Sequence, residues 1–124
     1  MNATEIGTEL VRLCQQGKTL EAVDTLYGEK VVSLEAADQG PFKARTEGLS
    51  AVREKNVNWS GMHEVHETKA LGPFCGGDPA RFAVLFEMDV THKPTQERNR
   101  LVEVGLYTVE SGKVVQEEFW YAMG

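Results

Sequence analysis

The chain has 124 residues, 41% hydrophobic and 26% charged, with 13 basic against 19 acidic side chains and a formal charge of −6. That length supports one domain around one core, residues 1–124, and the acidic balance excludes binding to a phosphate backbone without a local basic patch. The densest basic stretch, "THKPTQERNR" (91–100), also carries Glu97 and reads as a solvated loop, so no nucleic-acid partner is expected.

No basic region followed by an apolar run opens the chain, and no apolar run nears the ~20 residues of a membrane span. A cytoplasmic location with no membrane partner is the expectation. Cys14 and Cys75 lie too far apart in the chain to suggest a disulfide framework. Ile6, Leu10, Leu13 and Cys14 recur on one helical face, with Thr4 as a cap and Gly17 as the stop. A second helix restarts at Thr19, carries Leu20, Val23, Leu26 and Tyr27 on its stripe, and ends at Gly28. "KVVSLEA" (30–36) reads as a short strand and "ADQGPFKART" as a turn-rich loop. "EGLSAVREKNVNW" is a third helix, with Leu49, Val52, Asn56 and Trp59 on one face.

From residue 62 the period changes from 3.6 to 2. Strands are predicted at "MHEVHETKAL" (62–71), "RFAVLFEMDVT" (81–91), "RLVEVGLYTV" (100–109) and "VVQEEFWYAM" (114–123), the last two joined by a tight hairpin at Gly112. Short connections between sequential strands predict an antiparallel meander. The fold class is therefore α+β, with three N-terminal helices covering one face of a strongly curved, mostly antiparallel sheet.

"MHEVHETKAL" holds two histidines and two glutamates in six positions. Side chains alternate along a strand, so His63 and His66, three apart, point to opposite faces and cannot share one metal. No metal site and no cofactor is expected. The face holding Val84, Phe86, Met88, Leu101, Tyr107 and Phe119 is apolar enough to receive the helices, and Glu103 and Glu117 fall on it by parity. Carboxylates on a buried apolar face must be paired or near solvent. Together with tyrosines and His66 they have the composition of a ligand pocket. Convergence of Glu35, His66, Glu103, Glu117 and Tyr121 is expected at its inner end, with Tyr107, Phe86, Phe119 and Trp59 as walls. Leu85, Val102, Val104, Leu106 and Trp120, facing outward, are too apolar for a wet face and predict a homodimer.

The order of elements, with "LYGEKVVSLEA", "EGLSAVREKNVNW", "EVHE", "RFAVLFEMDVT" and "LYTVESGKVVQEEFWY", resembles the nuclear transport factor 2-like superfamily, and within it the SnoaL-like branch. The resemblance covers nearly the whole chain but includes no diagnostic catalytic motif. It implies a cone-shaped α+β barrel with a pocket at its wide end, and dimers formed through the outer sheet face. Relatives include polyketide cyclases, steroid isomerases, dehydratases, hydrolases and non-catalytic binders. Steroid isomerases of this fold place an acidic base near Glu35. Their tyrosine donor would fall near Leu10, which cannot donate, and their protonated aspartic acid near Glu103 or Gly105. Three functions stay open: proton transfer on a small hydrophobic carbonyl compound, by isomerase or cyclase chemistry with Glu35, His66, Glu103 or Glu117 as acid or base; a dimeric domain that binds such a ligand without turnover; and an assembly protein using the outer sheet face.

Overall fold

The computed structural model describes residues 1–38 and 42–122. Residues 39–41 of the predicted loop and Met123 of the predicted last strand lie outside the described residues. The elements run α1 (Ala3–Gln15), α2 (Thr19–Leu26), β1 (Tyr27–Leu34), β2 (Arg45–Glu47), α3 (Leu49–Met62), β3 (His63–Cys75), β4 (Arg81–His92), β5 (Glu97–Glu110) and β6 (Lys113–Tyr121).

Helix α1 starts on Asn2, not Thr4. The Asn2 side chain accepts from the Glu5 N–H while the Glu5 carboxylate accepts from the Asn2 N–H, a reciprocal cap that satisfies two orphan donors. Gly17, at φ +73°, stops it. The helix lies close on β3: a Cβ at Gly7 would come within 2.7 Å of Pro73. Helix α2 runs straight into β1 at Tyr27, before Gly28, because Tyr27 already has extended backbone. The short β2 was not anticipated. It pairs antiparallel with β1 and forms the sheet edge.

The six strands form one open sheet in the order β2-β1-β6-β5-β4-β3. Strands β3 to β6 are an antiparallel meander, closed at one end by Ser111 and Gly112, both at positive φ. Strand β1 then pairs parallel with β6, which sets Ser33 beside Glu117. Helices and sheet enclose a core of Ile6, Leu10, Val23, Val31, Val52, Phe82, Val84, Tyr107 and Val114. This is the α+β cone architecture: three helices against a six-stranded, mostly antiparallel sheet. Among the described residues no helix is long and apolar enough to cross a membrane.

Candidate functional site

Sheet register builds the site. Phe86 stands opposite Glu103, and Glu103 opposite Tyr121. One row deeper Val84, Gly105 and Phe119 align, and below them Phe82, Tyr107 and Glu117. All point to the helix-covered side, as the alternation along β4, β5 and β6 requires. The Tyr107 ring folds back over Gly105, where a Cβ would lie 2.8 Å from it. It stacks on Phe82 at 4.9 Å and meets Phe119 edge-on at 6.3 Å. Tyr107 and Phe86 are therefore buried core rather than open walls, while Phe119 and Tyr121 stay partly exposed.

Glu117 is 2% exposed. Tyr27 donates to its Oε1 and Ser33 to its Oε2, the latter at 2.8 Å. Ser33 in turn accepts from Lys55 Nζ at 2.9 Å, and Lys55 forms an ion pair with Glu35 Oε1 at 2.9 Å. The Tyr107 hydroxyl lies next to Tyr27. One polar chain thus runs from Glu35 near the surface through Lys55, Ser33 and Glu117 to Tyr27 in the core. Burial pushes the Glu117 carboxyl up, opposed by the hydrogen bonds from Tyr27 and Ser33 and by the Lys55 charge. Burial also raises the phenols of Tyr27 and Tyr107 well above their ordinary range, and the negative charge of Glu117 adds to this.

Glu103 differs from the other two. Among the described residues nothing donates a hydrogen bond to its carboxyl. Burial, then the negative charges of Glu35 and Glu117, push its pKa up to about 7, against a smaller opposing effect of Lys55. The site opens to solvent on this side, since the Glu35 and Lys55 side chains keep 17% and 15% of their exposure. The Lys55 ammonium stands 5.8 Å over the Phe119 ring. The arginines that could have neutralised Glu103 pair elsewhere: Arg98 with Asp89 at 2.8 Å and Arg100 with Glu87 at 3.0 Å, both on the outer face.

Glu35, Glu103 and Glu117 therefore share one end of the inner face, with Tyr121 opposite Glu103. His66 does not join them. The β3–β4 register slips between Val65 and Glu67, and His66 is the extra residue. Its ring swings to the outer face, where Nε2 lies 2.7 Å from Thr91 Oγ1. Trp59 is also corrected: its ring stacks on His63 at 4.1 Å instead of lining the carboxylate end. Cys14 is buried, and burial pushes its thiol up to about 11, which makes it a core residue rather than a nucleophile. Sequence reasoning missed Tyr27, Ser33 and Lys55. Tyr27 was assigned to a helical stripe, and Lys55 sits one turn before Trp59 on a helix whose polar positions carry no distinguishing pattern.

Two surface hollows lie away from this cluster. One is rimmed by Asp24, Glu29, Glu47, Arg53 and Glu54, and the other by Met1, Leu13 and Leu26. The first is wide open, and its Arg53 and Asp24 already pair at 2.9 Å. The convergence of buried titratable groups marks the carboxylate cluster as the better candidate.

The model of the SnoaL-like domain matches residues 1–121. The chain belongs to the SnoaL-like family. A Mesorhizobium loti structure, provisionally named a SnoaL-like polyketide cyclase with carbohydrate phosphatase as a second label, is 39% identical with a TM-score of 0.89, covering 98% of this chain and 100% of that one. A Bacillus subtilis structure provisionally named an isomerase is 16% identical, TM-score 0.81, over 98% and 90%. An M. tuberculosis LEH-like epoxide hydrolase is 14% identical, TM-score 0.68, over 97% and 82%. The last two share the fold alone. Comparison with curated protein sequences returns no match.

Proposed function

We propose that this SnoaL-like protein binds a small hydrophobic carbonyl compound and moves a proton on it, by isomerase- or cyclase-type chemistry, with Glu103 as the general acid–base. The observation that carries this reading is the Glu103 carboxyl. It stands between Phe86 and Tyr121 without a donor among the described residues, and its pKa is about 7. A general acid–base is most effective when its pKa lies near the working pH. Glu117 is held from both sides by Tyr27 and Ser33, so it anchors the site beside Glu103. Glu35, tied to Lys55, serves as a fixed charge at the rim. Three carboxyl groups against one ammonium disfavour a phosphorylated substrate and favour a neutral one. The cyclase name of the 39%-identical relative agrees with this reaction class.

A non-catalytic dimeric ligand-binding domain is the second reading, and two observations favour it. Glu35 and Glu117 are already partnered. Leu71, Leu85, Val104 and Trp120 also form an apolar row across four strands of the outer face, with Trp120 58% exposed. The discriminating experiment is hydrogen–deuterium exchange next to the carbonyl of a panel of small hydrophobic ketones, followed by NMR in D2O. Exchange above buffer that is lost in Glu103→Gln and kept in His66→Asn supports proton transfer. Ketone binding without exchange, or equal exchange in Glu103→Gln, refutes the catalytic role and leaves the binding domain.

A further inference from the structure

The helix-covered face of the sheet ends in a second cluster that the proposed chemistry does not use. His63 and His92 stand directly opposite each other on β3 and β4, and Glu97 continues the row on β5. The two imidazole centroids are 5.1 Å apart, with the rings tilted by 53°. Trp59 holds the first ring, stacked on it at 4.1 Å and 15°.

Both rings are fixed through Nδ1. His63 Nδ1 lies 2.8 Å from the Trp59 carbonyl oxygen. A carbonyl only accepts, so Nδ1 carries a proton and the Nε2 of the neutral ring presents its lone pair. His92 Nδ1 lies 2.9 Å from the Thr95 hydroxyl, which accepts as readily as it donates, so the same tautomer is open to it. Imidazoles held at one nitrogen by a carbonyl or hydroxyl, with the other nitrogen left to coordinate, are how proteins prepare histidines for a metal. Two rings that share one metal through Nε2 at ~2.0–2.1 Å, at a tetrahedral angle, keep their centroids roughly 5 Å apart. The observed spacing meets that requirement.

We propose that His63 and His92 form a two-histidine site for a divalent transition metal of the copper, nickel or zinc type. Among the described residues no three or more His, Cys, Asp or Glu side chains converge on one point. The protein therefore supplies two ligands, and water or a small exogenous ligand takes the remaining positions. Imidazole donors select these metals over magnesium and calcium, which take oxygen. The site joins the end of α3 to β3 and β4, and it is independent of the Glu103 chemistry. The sequence reading found no metal site because it paired His63 with His66; the register pairs it with His92 instead.

Trp59 makes the proposal measurable. In a Trp120→Phe, Cys75→Ser background it is the one remaining indole, and the exposed thiol is gone. Titration with Cu2+ should quench its fluorescence saturably, and calorimetry with Zn2+ should show one site per chain. His92→Asn should weaken both by roughly tenfold or more, as a lost ligand does. His63→Asn should do the same by calorimetry, the readout that does not depend on the lost stack. His66→Asn, which removes the outward-facing histidine, should leave binding unchanged, with circular dichroism checking that each variant folds. Absence of saturable binding, binding indifferent to His63 and His92, or an equal loss in His66→Asn would overturn the proposal.

Discussion

Replacing Glu103 by glutamine should make the protein more stable, not less, and only above mildly acidic pH. The carboxyl sits at about 7 in the folded state against the ordinary value of 4.5. Each tenfold change in acidity is worth about 1.4 kcal/mol. The ionised group therefore costs the folded state about 3 kcal/mol, and about 2–3 after allowing for the water that reaches it. The sign follows from proton uptake. Between pH 4.5 and 7 the folded chain binds more protons at this site than the unfolded chain, so stability falls as pH rises through that window and levels off above it. Glutamine has nearly the same shape and no charge to ionise, and among the described residues Glu103 has no hydrogen bond to lose. Urea denaturation at pH 5, 6, 7 and 8, at fixed ionic strength and protein concentration, measures the difference. The variant should gain about 2–3 kcal/mol over the parent at pH 8 and about 1 or less at pH 5. A gain that does not change with pH, or a loss at pH 8, would refute the burial and charge account of Glu103. A side chain whose replacement stabilises the fold while abolishing proton exchange is one held against stability for function.

Lys55→Met leaves Glu35 and Ser33 without their cation; it should cost about 2–3 kcal/mol in urea denaturation and move the Glu103 midpoint, read by carbon-13 NMR, upward. Tyr27→Phe removes one of the two donors to a buried carboxyl and should cost about 1–3 kcal/mol. Its loss should grow as pH rises, because the donor favours the ionised form of Glu117; a loss that shrinks as pH rises would refute that role. Trp120→Glu places a charge in the middle of the outer apolar row; sedimentation at micromolar concentration should show dimer for the parent and monomer for the variant, with both folded by circular dichroism.

What the chain determined by itself follows from local rules. Alternation along β5 and β6 put Glu103, Tyr107, Glu117 and Tyr121 on one face before any partner strand was known, because side chains on a strand take opposite sides in turn. The change of period near residue 62 marked where helix gives way to sheet, and α3 does pass into β3 there. Tertiary structure decided the rest. Ser33 reaches Glu117 only because β1 pairs parallel with β6, across 84 residues of chain. Lys55 reaches Glu35 only because α3 folds back over the sheet. His66 left the site through a bulge that shifts a single residue, and the same slip keeps His63 facing inward beside His92. Pairing partner and register depend on which strands meet and where the ladder slips, and side-chain alternation within one strand carries no record of either.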